Sequence, residues 1–233
     1  MVVQLHETDG FWEQTVRKIT NKGTKKCIGK FPSVKAGRNI WYESTIERDF
    51  IYLLEFDPDV VLYKEQPFRV KYTFDGKRRS YVPDFFVQRG DKFQVIDNKP
   101  AGKAITAANK LRYRIFKSIF REQGYEFIVA TDLQIRVGPL LGNVKTFWRY
   151  SRTPVHPLQE VRCQEYLSER QEASIQELAD ALAPHGVTLQ VVYALLYRGV
   201  LATDMRRPVD PEAVVYFSSV GTPAYARIIT KEA

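Results

Sequence analysis

The residues best suited to chemistry lie within residues 80–103, SYVPDFFVQRGDKFQVIDNKPAGK. Two short strands joined by a turn at residues 88–91 are predicted there, because β-rich runs flank a Gly-Asp pair. Alternate side chains of a strand share one face, so Asp97 and Lys99 project together from the second strand, while Asp84 lies early on the first. Two carboxylates and one ammonium group are therefore predicted to converge.

The spacing of these groups has the form of the PD-(D/E)xK signature of metal-dependent nucleases: Pro83-Asp84, twelve residues, then Asp97-Asn98-Lys99. Paired carboxylates bind Mg²⁺, which polarises a scissile phosphate and activates a water, and a lysine orients that water or offsets developing charge. The same spacing also fits an ordinary hairpin with solvated charges, so the rest of the chain must decide between the two interpretations.

A third carboxylate, Glu47, lies near the start of a helix predicted over residues 44–56. Ser44 with Glu47 three residues later is a capping box, which fixes the N-terminus of the helix. Glu47 also shares a helix face with Ile51 and Leu54, at the edge of the buried side. It is therefore either a capping residue or a third acid directed at the metal site, and the two roles are compatible.

The elements around the hairpin predict an α/β domain over residues 1–150. They are strands at 60–63, 68–74 and 125–131, a turn at Asp75-Gly76 that leads to the strand bearing Asp84, and a helix over 103–123 with Leu111, Ile115, Ile119 and Phe120 inward. This order fits a mixed sheet with helices on both faces, which is the restriction-endonuclease-like core of PD-(D/E)xK enzymes.

Positive charge is concentrated in the first 150 residues, which hold 27 Lys and Arg against 17 Asp and Glu, whereas residues 151–233 hold 8 against 10. Such a basic portion suits a polyanion such as nucleic acid. The charges follow a loop-like stretch at 22–40 and the outer side of the helix over 103–123, where simple solvation is the alternative to phosphate contact. The candidate DNA contacts are Lys22, Lys25, Lys26, Lys35, Arg38, Lys103, Lys110, Arg114 and Lys117.

Several classes of site are not supported. Cys27 and Cys163 form no CxxC pair, and His6, His156 and His185 have no ligand-spaced neighbours, so neither zinc nor a disulfide framework is indicated. No nucleophilic triad or P-loop is recognisable. No apolar run approaches ~18 residues, and the first residues lack a signal-peptide pattern. We therefore expect a protein without a membrane partner, most simply in a bacterial cytoplasm.

A second domain is predicted over residues 151–233, after a Gly- and Pro-rich linker at 132–157. It has the pattern of a winged helix, with helices at 158–170, 174–182 and 188–197 and a wing at 200–203 and 213–217. The third helix, TLQVVYALLYRG, has only Arg198 as a charged residue, whereas a DNA-reading helix carries more polar side chains. We interpret this domain as a protein-binding or structural module.

Five segments together resemble the TnsA family, the endonuclease subunit of heteromeric transposases. They are GKFPSVKAGRNIWYEST (29–45), ESTIERDFIYLLEFDPDV (43–60), EQPFRV (65–70), YVPDFFV (81–87) and VIDNKP (95–100). With the winged helix, the resemblance spans nearly the whole chain. The combination of ES-x-x-E, LEFDP-x-V, EQP, PDF and D-x-KP is far more specific than PD-(D/E)xK alone.

The resemblance implies an endonuclease that uses Mg²⁺, with Mn²⁺ as an expected substitute. Such an enzyme cuts double-stranded DNA at the 5′ ends of a mobile element. A TnsB-like partner transposase cuts and joins the 3′ ends, and a TnsC-like ATP-dependent regulator engages the C-terminal domain.

The resemblance also implies a role for each site residue. Glu47 takes the position of the helical acid, Asp84 and Asp97 those of the metal carboxylates, and Lys99 that of the strand lysine, while the main-chain carbonyl of Asn98 completes the metal shell. This sequence departs from the pattern at two positions. Asp97 is one methylene shorter than glutamate, and Asn98 stands where a nuclease strand usually buries an apolar residue, so its amide needs hydrogen-bond partners.

Two alternatives predict different behaviour. A stand-alone restriction-like or junction-resolving nuclease would cut DNA without partners. A catalytically silent adaptor would bridge transposition proteins through the winged helix, although the presence of all four catalytic groups argues against silence. A winged-helix transcription regulator fits least well, because the third helix is poor in base-contacting residues.

Overall fold

The computed structural model describes residues 27–218, which form two compact units. The first holds the described residues up to Glu55 together with Asp59–Ile135, and the second holds Phe56–Pro58 and the residues from Arg136 onward. The second unit thus begins about fifteen residues before the predicted boundary at 150. Residues 136–150 belong to it because they include a helix with buried apolar side chains.

The central sheet of the first unit has four strands, in the order β3-β6-β7-β8. In chain order the elements of this unit are β1 (Gly29–Pro32), β2 (Asn39–Tyr42), α1 (Thr45–Phe56), β3 (Val60–Glu65), β4 (Val70–Phe74), β5 (Lys77–Tyr81), β6 (Phe85–Arg89), β7 (Lys92–Lys99), α2 (Ala101–Ala104), α3 (Ala107–Arg121), β8 (Glu126–Thr131) and α4 (Asp132–Ile135). β6 runs antiparallel to β3 and β7, whereas β7 and β8 are parallel. The predicted α/β class with a mixed sheet is confirmed.

Helices cover both faces of this sheet because consecutive side chains of a strand point in opposite directions. Phe85 of β6 packs against Phe50 of α1, with ring centroids 5.5 Å apart. Phe86, the next residue, joins an aromatic cluster on the other face. The buried members of that cluster are Phe68, Tyr81, Phe86, Val95, Tyr113, Phe116, Phe120, Tyr125 and Phe127. Burial of each such side chain contributes about 1.5–3 kcal/mol, so the cluster fixes α3 on the sheet.

The predicted single helix over 103–123 is divided in two. α2 ends at Ala104, and α3 begins after Thr106, whose side chain accepts a hydrogen bond from the Asn109 N–H as an N-cap. The predicted inward side was also partly wrong, because Leu111 is 51% exposed and the buried side chains are Tyr113, Phe116 and Phe120. These three side chains pack against the sheet because burying aromatic rings removes more apolar surface from water than burying the predicted inward side would.

β4 and β5 form a two-stranded sheet of their own, which we call the ribbon (residues 70–81). Its turn at Asp75-Gly76 was predicted, and both residues have positive φ, at 52° and 67°, as a tight two-residue hairpin turn requires. The strand after the turn ends at Tyr81, so the prediction that it carries Asp84 was wrong. The described part of the predicted basic loop at 22–40 also differs from that prediction, since it contains β1, which pairs with β2 (Asn39–Tyr42) as an antiparallel hairpin.

The second unit combines helices with a small antiparallel sheet in the order β10-β11-β9. Its elements are α5 (Leu140–Trp148), α6 (Pro157–Arg170), β9 (Ala173–Ser174), α7 (Ile175–Ala181), a 3₁₀ turn at Ala183–His185, α8 (Leu189–Tyr197), β10 (Leu201–Thr203) and β11 (Val214–Phe217). The predicted linker at 132–157 is wrong, because it contains α4 and α5 with Val144 and Phe147 buried. In the described ranges, no helix has the length and apolar character that crossing a membrane requires.

Candidate active site

Asp84 lies in the short link between the ribbon and β6, and backbone hydrogen bonds hold it on both sides. Its N–H donates to the Ile96 carbonyl at 3.1 Å, and its own carbonyl accepts from the Gln66 N–H at 2.9 Å. Its Oδ2 accepts from the Asn98 N–H at 2.6 Å. The β6–β7 pairing begins at Phe85 and Ile96, so Asp84 lies just before the first paired residue of β6. The Asp84 carboxylate is nevertheless held close to Asp97, because its hydrogen-bond donor Asn98 is the next residue along β7.

Asp97 and Lys99 project from the same face of β7. Asp97 is 1% exposed, and the Lys99 Nζ lies 3.1 Å from its Oδ1. The Lys99 side chain keeps 31% of its surface accessible, so its ammonium group can reach both a buried carboxylate and a bound anion. The structure brings together the three groups that the hairpin pattern predicted to converge.

Glu47 lies in the first turn of α1 and caps that helix. The Ser44 Oγ accepts from the Glu47 N–H at 3.2 Å and donates to Glu47 Oε1 at 2.8 Å. Glu47 Oε2 accepts from the Glu43 N–H at 2.8 Å, one residue before the position of the standard capping box. Each carboxylate oxygen retains a further lone pair, so Glu47 can cap the helix and still use a lone pair to bind a cation.

The site groups interact electrostatically with one another. Burial raises the pKa of Asp84 well above its ordinary value, and the Asp97 carboxylate raises it further. Burial also raises the pKa of Glu47, against the opposing effect of its capping hydrogen bonds. Burial alone would lower the pKa of Lys99, but the Asp84 and Asp97 carboxylates outweigh it and raise that pKa. Negative charge is therefore crowded here, as it is where a protein binds a cation.

Two phenols next to Asp97 were missed by the sequence analysis. Burial, and then the Asp97 carboxylate, raise the pKa of both Tyr81 and Tyr113. Within the described residues, neither buried hydroxyl makes a well-formed hydrogen bond. Tyr81 precedes the PDF motif by two residues, which is a local signal. Tyr113 could be found only from the inward side of α3, since it stands three residues before Phe116.

The donor set fits a divalent cation that keeps much of its water. Across residues 27–218, no three His, Cys, Asp or Glu side chains are grouped closely enough to enclose a metal ion. Mg²⁺ does not require such a cage, because it commonly binds one or two carboxylates and retains several waters. The N–H and C=O of a strand residue point toward the same edge. The Asn98 carbonyl is therefore directed toward Asp84, as its N–H is.

The side chain of Asn98 points to the opposite face of β7 from Asp97 and Lys99. It is 7% exposed, and both Nδ2 and Oδ1 lack a hydrogen-bond partner among the described atoms. An unsatisfied buried polar group costs about 1–3 kcal/mol. The partner that the sequence analysis required for this amide is therefore not provided by the described part of the protein.

The predicted DNA contacts fall into different settings. Lys22, Lys25 and Lys26 lie outside the described residues. Lys103 on α2 is exposed, and so are Lys110, Arg114 and Lys117, which share one side of α3 at helical spacing. These four side chains form a basic surface that solvent and a polyanion can reach.

Lys35 and Arg38 are instead engaged within the fold. The Lys35 Nζ donates to the Val60 carbonyl at 2.7 Å. The Arg38 guanidinium donates to both carboxylate oxygens of Glu65, at 2.9 and 2.7 Å. Glu65 is 1% exposed, so Arg38 neutralises a buried charge. These contacts favour a structural role for both cations.

Comparison with known families gives one match. Residues 57–132 match the family described as TnsA-like endonuclease N terminal. The matched segment covers about one third of the chain and includes Asp84, Asp97 and Lys99, whereas Glu47 precedes it. No curated protein matches the chain at a significant level.

Proposed function

We propose that this protein, whose residues 57–132 match the TnsA-like endonuclease N-terminal family, is the metal-dependent DNA endonuclease subunit of a cut-and-paste transposase. It cuts the 5′ ends of a mobile element, and a TnsB-like transposase cuts and joins the 3′ ends. One observation carries the proposal: the Asp84 carboxylate accepts a hydrogen bond from the N–H of Asn98, the neighbour of Asp97, and the Lys99 Nζ lies 3.1 Å from Asp97 Oδ1. All three side chains belong to the matched segment.

In this proposal Asp84, Asp97 and the Asn98 carbonyl hold Mg²⁺ or Mn²⁺, and Glu47 contributes the remaining acid. The bound ion supplies polarisation of the scissile phosphate and a lowered pKa of the attacking water. Lys99 places its ammonium group beside the phosphate and offsets the negative charge that builds during attack. The hydrogen bonds that join Asp84 to Gln66 and to β7 keep the Asp84 and Asp97 carboxylates in place before DNA binds.

The second unit serves protein partners in this proposal, as a winged helix that engages a TnsC-like ATP-dependent regulator. Six consecutive residues of α8, Val191–Leu196, are buried. A helix that reads bases needs several polar side chains free to enter the groove. α8 offers few of these, which supports a structural role for this helix and protein contact for the unit.

The testing experiment is cleavage of duplex DNA that carries the element's ends, with and without the partner transposase. Asp97→Asn removes a carboxylate at nearly constant volume, so the fold is expected to persist. Asp91→Asn is the matched control, because Asp91 is exposed at the turn end of the same hairpin. We expect Mg²⁺-dependent cutting at the 5′ ends by wild type and by Asp91→Asn, and none by Asp97→Asn.

The partner requirement separates the alternatives. Cutting that needs the partner supports the transposase subunit, whereas cutting of arbitrary DNA by the protein alone indicates a stand-alone nuclease. Absence of cutting by wild type in every setting, with Asp97→Asn still supporting transposition, would assign the protein as an adaptor.

A further inference from the structure

The ribbon has a basic outer face that the catalytic site does not use. Lys71 pairs with Ser80 and Thr73 pairs with Arg78 across the two strands. Paired residues share a face, and Arg69 joins them, because its Nη1 lies 3.5 Å from the Ser80 Oγ. We define the ribbon outer face as these five exposed residues: Arg69, Lys71, Thr73, Arg78 and Ser80.

The inner face of the ribbon is fixed on α3. Tyr72 packs edge-on against Phe116 with centroids 5.0 Å apart, and Tyr81 stacks on the same ring at 4.3 Å. The Arg79 guanidinium lies over Phe74, 5.5 Å from its centroid. The ribbon is therefore held in one position, and its inner cation is already engaged.

The charge on the outer face is one-sided. It carries three cations and two hydroxyl groups, and neither β4 nor β5 contains an acidic residue. The nearest acid in sequence is Asp75, in the turn. In the part of the chain that the structure describes, Lys71 and Arg78 form no ion pair. Like charges at this spacing repel one another, so the face is complementary to an anionic partner.

We propose that the ribbon outer face contacts the phosphates of duplex DNA beside the scissile bond, an inference that rests on the proposed nuclease function. Two strands about 4.7–4.9 Å apart fit the major groove, about 12 Å wide. β5 ends at Tyr81, three residues before Asp84, and the Tyr81 phenol lies by Asp97. Five residues of strand extend ~17 Å, which corresponds to about 5 base pairs. Lys71 and Arg78 pair with phosphates, and the hydroxyls donate to phosphate oxygens.

Duplex binding tests the charges. Lys71→Gln/Arg78→Gln is compared with Lys92→Gln/Arg207→Gln, which removes two exposed cations elsewhere. A fluorescent double-stranded oligonucleotide in EDTA reports binding without cleavage, over a series of salt concentrations. The loss of two phosphate contacts should make the negative slope of log K (the association constant) against log salt less steep by about 1.8. It should also weaken binding on the order of 60-fold near 0.1 M salt. The control pair is expected to lose less than threefold in affinity.

A second test reports where bound DNA lies on the protein, independently of how tightly it binds. Thr73→Cys in a Cys27→Ser background carries an iron-EDTA probe, which cuts DNA near its attachment point. We expect probe cutting within about 6 base pairs of the bond that the wild-type enzyme cleaves in Mg²⁺. A probe at Asp91→Cys, on the hairpin turn away from Asp84, serves as the control.

The outcomes separate the two proposals. If wild type binds and cuts DNA but both double variants bind equally well, the ribbon inference is wrong and the nuclease proposal stands. If the ribbon variant alone loses duplex binding but no DNA is cut under any condition, the nuclease proposal fails while the ribbon remains a DNA contact. A wild type that binds no duplex at low salt overturns the ribbon inference.

Discussion

Arg38→Met is expected to destabilise the protein without changing its contacts to DNA. The substitution keeps the apolar stem and removes a guanidinium that donates twice to Glu65. Removing one partner of a buried ion pair costs about 3–5 kcal/mol. The Arg38 side chain is 25% exposed, against 2% for Glu65, and Glu65 still accepts from the Trp41 N–H at 3.1 Å. We therefore expect a loss of about 2–3 kcal/mol.

That loss has a measurable size in thermal and urea unfolding. For a chain of this length, 1 kcal/mol corresponds to about 2–4 °C in Tm, so a fall of roughly 4–12 °C is expected. Lys92→Met, at an exposed cation, is the control and should change Tm by less than 2 °C (about 0.5 kcal/mol). An unchanged Tm, together with weaker duplex binding and a shallower salt slope, would refute the structural role and make Arg38 a phosphate contact.

Three further outcomes are expected. Lys99→Met should slow cutting about 10²–10³-fold with unchanged duplex affinity; a loss under threefold would contradict its role. Because burial and Asp97 raise the pKa of Asp84, the metal-free protein holds that proton more tightly when folded. The unfolding free energy of the metal-free protein should therefore fall as the pH rises above about 4, by up to about 1.36 kcal/mol per pH unit, and Mg²⁺ should reverse the fall. A pH-independent effect of Mg²⁺ on Tm would exclude a coupling between Mg²⁺ binding and the proton on Asp84. Burial raises the pKa of the Cys163 thiol to about 11, so at pH 8 a thiol reagent should label exposed Cys27 and leave Cys163 unlabelled until denaturant is added.

The convergence of the candidate site residues was predictable from sequence because it is local. Asp97 and Lys99 lie on the second strand of one β-hairpin, and Asp84 immediately precedes its first strand. The register of that hairpin follows from its turn and from the alternation of its side chains. The Ser44 cap was equally local, since its partner Glu47 is three residues away. In each case a short-range rule fixes the geometry without knowledge of the remaining fold.

Features that depend on distant contacts were not predicted. The inward side of α3 depends on which of its aromatic rings pack against the distant strands of the sheet. Tyr113 was therefore not predicted to be buried, and Leu111 was wrongly predicted to face inward. Arg38 and Glu65 are 27 residues apart in sequence, and nothing near either residue indicates their pairing. The charge of Arg38 therefore favoured a DNA contact until the structure placed the buried carboxylate beside it.

The parallel pairing of β7 with β8 has a consequence for the order of folding. β6 and β7 adjoin in sequence and can pair within microseconds, which brings Asp84 and Asp97 together early. β8 follows only after α2 and α3, so one edge of β7 has no partner strand until β8 has been synthesised. During synthesis at ~5–20 residues per second, the 32 residues that follow Lys99, up to Thr131, take roughly 2–6 s. Throughout that interval the strand bearing Asp97 and Lys99 has one unpaired edge, and Val95, which faces α3, is uncovered. We expect nascent chains that stall within α3 to be recognised by chaperones at this strand.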